Sequence, residues 1–213
     1  MHGPCLAPPR RIVEPARHGL DYAPALGFAS ATMPTVLVIL PEGVEELEAI
    51  APIDLLRRTG CQVTLAALGP GIHVTGRNAI TLHADLSLST LPADAAPYDC
   101  LLLPGGPGVA ALRASPAVRE LVARHHAAGA LLAAICAAPA VLHDAGLLAG
   151  RRYTAHPSVA GELPAILADQ RTVRDGQILT SRGAGTAIDF GLALVAALIT
   201  PEKSTEIATS IRF

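Results

Sequence analysis

From Thr35 onward, short apolar runs alternate with stretches in which apolar positions recur every three or four residues. Runs with no polar phase suit strands buried on both faces, and the periodic stretches suit helices that cover them. Thr35–Leu40 reads as the first strand and Cys61–Leu68 as the second. Glu45–Thr59 lies between them as a helix, with Leu47, Ile50, Ile53 and Leu56 at helical spacing and a kink expected at Pro52. Val74–His83 is expected to hold short strands. Cys100–Leu103 is a short buried strand that runs into Pro104-Gly105-Gly106. Pro116–Ala128 reads as an amphipathic helix stopped by Gly129, Ala130–Ile135 as a buried strand, and Ala137–Ala145 as a helix closed by Gly146. Tyr153–Ala155 reads as a strand, Thr172–Thr180 as a hairpin turning at Asp175-Gly176, and Thr186–Ile199 as a long apolar helix. This order predicts one α/β sandwich with a mostly parallel central sheet, over 35–199 at least and within a domain of 34–213.

Residues 1–33 break the pattern. Pro4, Pro8, Pro9, Pro15 and Pro24 interrupt them, with Arg10, Arg11 and Arg17 between. Ala23–Ala31 is a poor secretory h-region because Pro24 and Gly27 interrupt it, so a disordered N-terminal extension is expected. Hydrophobic residues make up 51% of the chain and aromatics 3%, so the core must be aliphatic and platforms for stacking bases are scarce. The formal net charge is −2 with no basic block, which gives no argument for a nucleic-acid partner. No apolar run is long enough to span a bilayer. Cys5, Cys61, Cys100 and Cys136 show no paired spacing, which reads as reduced thiols and a cytoplasmic protein.

Four places carry candidate chemistry. At Ala133-Ala134-Ile135-Cys136-Ala137-Ala138-Pro139 an apolar strand meets a helix that has proline in its first turn. A sharp turn there thrusts one side chain outward, as in a nucleophile elbow, and the flanking alanines leave room for it. A thiol at a helix N-terminus is expected to favour thiolate; the competing reading is an inert core cysteine. Pro104-Gly105-Gly106-Pro107-Gly108 can bring backbone N–H groups to a substrate oxygen, or be a simple loop. In Glu42-Gly43-Val44-Glu45-Glu46-Leu47-Glu48, Glu45 and Glu46 read as dipole partners. Glu48 lies one turn deeper, where a buried carboxyl beside a thiolate would have a raised pKa and shuttle a proton. His156, after the apparent strand at Tyr153–Ala155, is a candidate base, or an unremarkable lone histidine. His125, His126 and His143 read as solvated helix positions, and Asp189-Phe190-Gly191 lies within a helical pattern.

Together these stretches resemble the ThiJ/PfpI superfamily, a flavodoxin-like group. The likeness is greatest to the branch that holds the parkinsonism-associated protein deglycase and bacterial YajL. It runs from Val36-Leu37-Val38-Ile39-Leu40 and Gly43–Glu48 through Asp54-Leu55-Leu56-Arg57-Arg58, Tyr98-Asp99 and Leu103–Gly106. It continues through Ala133–Pro139 to Leu179–Thr186. The resemblance implies a flavodoxin-like three-layer α/β sandwich in which Cys136 is the nucleophile and Glu48 its hydrogen-bond partner. It places His156 nearby and makes Gly105, Gly106 and Ala137 backbone donors. It also implies a homodimer with the pocket near the interface, where Asp54 and Arg58 contribute. The chain departs from the protease-like branch, which has histidine directly after the cysteine where Ala137 stands here. It also lacks the His-x-Glu of glutamine amidotransferases, since Pro157-Ser158 follows His156.

The activity implied is cofactor-independent and metal-free removal of α-oxoaldehydes such as methylglyoxal and glyoxal, or of their early adducts on proteins and nucleotides. An oxidative-stress sensor with chaperone character is the alternative, because a reactive thiolate is what peroxide oxidises first. A cysteine protease or amidase is a third reading, disfavoured by the missing partner histidine.

Overall fold

The computed structural model describes residues 33–92 and 94–213. The extension assigned to residues 1–33 lies outside the described residues apart from Met33, and Cys5 lies outside them too. The chain runs β1 (Thr35–Leu40), α1 (Glu46–Arg58), β2 (Gln62–Ala67), β3 (His73–Thr75), β4 (Thr81–His83), β5 (Leu86–Ser87) and β6 (Cys100–Leu103). It continues with α2 (Val109–Ala114), α3 (Pro116–Ala127), β7 (Leu131–Ile135), α4 (Pro139–Asp144), β8 (Thr172–Asp175), β9 (Ile178–Ser181), α5 (Ala187–Leu198) and α6 (Pro201–Ser210). Among the described residues, seven strands form one sheet in the order β5-β2-β1-β6-β7-β9-β8, and β3 and β4 make a separate antiparallel hairpin. Every pairing in the main sheet is parallel except β8 with β9.

The unbroken apolar runs are explained by burial on both faces. In β1, Val36, Val38 and Leu40 enter the core shared with α1 and α5, whereas Leu37 and Ile39 enter the core shared with α2, α3 and α4. The same alternation holds in β6, where Cys100 and Leu102 face one layer and Leu101 and Leu103 the other. The result is the flavodoxin-like sandwich expected from the sequence. The chain leaves β1 for β2 and β5, returns to β6 on the other side of β1, and moves out through β7 and β9. That reversal makes a crevice at the carboxyl ends of β1, β6 and β7, the usual ligand position in open α/β sheets.

Some expectations need correction. Tyr153–Ala155 is not a strand; it makes one isolated bridge, Tyr153 to Ile166. The edges of β9 are already taken by β7 and β8, and the N–H of Thr154 donates instead to the Thr180 hydroxyl (2.9 Å). α1 runs through Pro52 as one helix, and the proline is buried. Its role is in packing: a Cβ on Gly191 of α5 would lie 3.0 Å from Pro52 Cα and 2.6 Å from Leu55 Cδ1, so glycine permits close approach of α5 to α1. His125 is not solvated. It is 1% exposed, donates from Nδ1 to the Leu121 carbonyl (2.7 Å) and accepts the Tyr98 N–H at Nε2 (3.1 Å). Burial lowers its pKa, so the neutral ring is the form this pocket holds.

Candidate active site

Cys136 leaves β7 with φ of +65°, a strained conformation for a residue with a side chain. The backbone holds it there. The Cys136 N–H donates to the Ser181 carbonyl at the end of β9 (2.9 Å), and the His156 N–H donates to the Cys136 carbonyl (2.8 Å). Ala138 N–H closes the turn onto Ile135 (3.1 Å), and Pro139 starts α4. The elbow therefore presents the thiol at the crevice, half-buried.

Glu48 reaches the same point from the first turn of α1 and is 1% exposed. One carboxyl oxygen accepts the Gly105 N–H (3.0 Å), and the carboxyl also bonds the Cys136 thiol and the Ala184 N–H. Gly105 has to be glycine here. A Cβ on it would stand 2.4 Å from Glu48 Oε2 and 2.5 Å from Cys136 Cβ, in the space where the two residues meet. Burial pushes the Glu48 carboxyl up to about 7; the hydrogen bond from Cys136 opposes the shift and the charge of Glu45 adds to it. The thiol responds in turn. Burial, then the Glu48 charge and its hydrogen bond, push Cys136 up to about 12, while the N–H groups of Gly106 and Ala137 pull it down.

This corrects the expectation that the place at a helix N-terminus would favour thiolate. α4 has only six residues, and burial, with an ionised Glu48 adding to it, pushes the thiol up. Thiolate is favoured when Glu48 carries the proton, because the like charge is then replaced by a donor. The backbone donors are also redistributed. Gly105, expected as an oxyanion donor, has its N–H on Glu48; Gly106 and Ala137 are the donors turned toward the sulfur.

His156 is exposed and sits on the cavity side. Its Nδ1 accepts the Ser158 N–H (3.1 Å) and lies 2.9 Å from the Ser158 hydroxyl, which leaves Nε2 to carry the proton. His156 Cδ2, Glu48 Oε1 and Cys136 Sγ lie 3.5, 3.6 and 3.9 Å from the place a Cβ on Gly183 would take. The three predicted side chains thus converge on one glycine at the end of β9. They line a cavity of about 490 Å³ with Gly106, Ala137 and Arg113. Asp54 and Arg58 stand apart from it, paired with each other on an exposed face of α1 (Nε to Oδ2 2.7 Å).

Several contributors escape sequence reading. Glu45 caps α1 by accepting the Glu48 N–H (2.9 Å), and Glu45 and Glu46 are buried rather than solvated dipole partners. Arg113 of α2 grips Asp144 at the end of α4 (2.7 and 2.8 Å) and Glu162 beyond His156 (2.6 and 3.1 Å). One guanidinium thus braces the segments that follow the Gly105, Cys136 and His156 positions. Among the described residues, no cluster of three or more His, Cys, Asp or Glu is placed to hold a metal ion.

Fold and site define a class: a flavodoxin-like sandwich that carries a cysteine on a strand-to-helix elbow against a buried glutamic acid. The chain belongs to the DJ-1/PfpI family, whose sequence model matches residues 34–197. It is 38% identical to protein dj-1beta of Drosophila melanogaster over 181 residues, 83% of this chain and 96% of the relative. It is 33% identical to the glutathione-independent glyoxalase DJR-1.2 of Caenorhabditis elegans, over 83% of this chain and 95% of that one. The solved structure of oxidized Toxoplasma gondii DJ-1 superposes with a TM-score of 0.79 at 34% identity, covering 84% of this chain and 98% of that one.

Limited iodoacetamide labelling at pH 6 is expected to modify Cys136 before the other cysteines. Burial raises the pKa of Cys61, Cys100 and Cys136 alike, but at pH 6 a protonated Glu48 replaces the like charge at Cys136 by a donor, and Cys136 lines the cavity. Peptide mapping reads the order, and labelling of Cys5 first would count against an activated Cys136.

Proposed function

We propose that the chain is a cofactor-independent glyoxalase and deglycase acting on α-oxoaldehydes or their early adducts. The observation that carries this reading is the contact of Cys136 with a buried, readily protonated Glu48 in a ligand-sized cavity. A relative named as a glutathione-independent glyoxalase supports it. The sulfur attacks the aldehyde carbon, and the carbonyl oxygen takes up a proton to give a hemithioacetal. The N–H groups of Gly106 and Ala137, which face the sulfur, would stabilise the charge as it develops on the carbonyl oxygen. Glu48 takes the proton from the former aldehyde carbon and returns it to the neighbouring carbon through an enediol, with His156 Nε2 as the second group in reach. The thioester formed consumes one water, releases a 2-hydroxy acid and restores the thiol. Methylglyoxal plus water thus gives lactate, with no redox partner. The deciding measurement is lactate formation from methylglyoxal without glutathione; its absence would overturn the reading.

A second use of the same sulfur is supported by the oxidized Toxoplasma gondii relative. Two equivalents of hydrogen peroxide would each give one oxygen to the Cys136 thiolate and leave as water, and the resulting sulfinate would accept from protonated Glu48 and from the Gly106 and Ala137 amides, so redox sensing and catalysis draw on one site.

We assign the protein to the cytoplasm, on its free thiols at Cys61, Cys100 and Cys136. Among the described residues, no helix is long and apolar enough to cross a membrane. We also expect a homodimer. Leu47 (60% exposed) and Ile50 (44%) form with Asp54 and Arg58 one outward stripe along α1 that suits a second copy. Light scattering on a chain beginning at Met33 should give twice the monomer mass, and a stable monomer would remove this claim.

A further inference from the structure

The β3–β4 hairpin stands outside the main sheet, and its two faces differ. Val74 is buried and Leu82 packs against the core, so the residues that alternate with them point outward: His73 and Thr75 from β3, Thr81 and His83 from β4. His73 is paired with His83 across the hairpin. The Ala84 N–H donates to the Ile72 carbonyl (2.7 Å), so the next pair inward, His73 with His83, falls between ladder bonds. Pairs of that kind bring side chains closest. The two imidazoles meet edge to face, with ring centres 4.9 Å apart and planes at 78°. The hairpin that carries them is pinned to the start of α1. Thr75 bonds Gly43 N–H through its carbonyl (2.8 Å) and Glu42 through its N–H (3.0 Å), and the buried carboxylate of Glu46 accepts the Asn78 N–H (2.8 Å) and side-chain amide (2.9 Å).

Ring contact alone would make this a packing pair. What sets it apart is that its nitrogens are free. His125 bonds Leu121 and Tyr98, His126 bonds Gln177, and His156 bonds Ser158. The rings of His73 and His83 have no hydrogen-bond or ion-pair partner among the described residues. Neutral imidazole is a good ligand for nickel, copper and zinc ions. Two imidazoles on one such ion, bound at about 2.0–2.1 Å, hold their ring centres roughly 5 Å apart. The pair already stands at that separation, on a backbone that needs no ordering to present it.

We propose that His73 and His83 form a surface site for one divalent transition-metal ion of the nickel, copper and zinc class, which clips β3 to β4. Among the described residues no third His, Cys, Asp or Glu stands with them, so water fills the remaining positions and the ion exchanges readily. Neither histidine lines the Cys136 cavity, and the site does not depend on the chemistry proposed there. Nickel is the probe, because imidazole suits it and thiolates select softer ions. Titrated into the full chain, paramagnetic Ni²⁺ should first broaden the NMR amide signals of residues 73–83, and calorimetry should give one such ion per chain. His73→Ala and His83→Ala should each weaken binding about tenfold or more, because the second ring acts as a donor held at high effective concentration. Both side chains are exposed, so neither variant should shift the unfolding midpoint in the absence of metal. With Ni²⁺ the wild-type midpoint should rise above that of either variant. His143→Ala on α4 is the control and should bind as wild type does. Equal affinity in wild type and both hairpin variants, broadening centred elsewhere, or no binding at millimolar Ni²⁺ overturns the proposal.

Discussion

Cys136→Ser is expected to reduce lactate formation from methylglyoxal to background, a loss on the order of 10⁴-fold or more. Serine fits the elbow, since it is no larger than cysteine and meets the same backbone bonds to Ser181 and His156. What it lacks is an accessible anion. Glu48 can share its proton with a thiolate, but a serine hydroxyl is far too weak an acid for a carboxyl to hold it as alkoxide. The positive φ of Cys136 is strained for either side chain, so thermal unfolding should shift little between the two. Loss of activity at a nearly unchanged midpoint would assign the effect to the sulfur rather than to the fold. Retained turnover in the serine variant would exclude covalent catalysis through this residue, and both uses proposed for the thiol would fall with it.

Much of this was legible in the sequence because the sheet is parallel and buried on both faces. β1, β6 and β7 have nearly continuous apolar runs, and such runs leave few alternatives to a central strand. The elbow was legible because alanines and a proline cluster around one cysteine. Glu48 was separable from Glu45 and Glu46 by helical spacing, but the burial of its neighbours was not. Glu46 is buried by a hairpin turn some 30 residues later, and no local pattern carries that contact. His125 escaped for the same reason: a helix-face histidine reads as solvated until the Tyr98 segment is laid over it. α6 was within reach, because Thr200-Pro201-Glu202 is an N-cap followed by proline at the first helical position. The division of donors between Gly105 and Gly106 required the fold, since which N–H meets the carboxyl depends on how α1 approaches β6. The brace made by Arg113 joins residues 31 and 49 positions apart, a spacing with no signature along the chain.

Glu48→Gln is expected to lower aldehyde turnover by about 10²–10⁴, the usual contribution of a general acid–base group. It should leave Cys136 alkylation within roughly an order of magnitude of wild type. The amide keeps the contacts: its oxygen accepts from Gly105, and its NH₂ donates to the sulfur as the protonated acid does. It cannot carry a proton between carbons. Glu48→Ala should lose the hydrogen bond and the turnover together. Stability should move the other way. The folded carboxyl is raised to about 7, above its ordinary value near 4.5, so the native state holds this proton through a range where the unfolded chain has released it. Its contribution is therefore intact below about pH 4.5 and is lost as pH rises through about 7. The shift corresponds to roughly 3 kcal/mol at most, and glutamine avoids this loss. Measured from pH 5 to pH 8, the unfolding midpoint of Glu48→Gln should therefore rise relative to wild type while its turnover stays low. A surface acid at this position would show neither effect. Wild-type turnover in Glu48→Gln would remove Glu48 as the proton shuttle and pass that role to His156, whose ring faces the same point at Gly183 as Glu48 and Cys136.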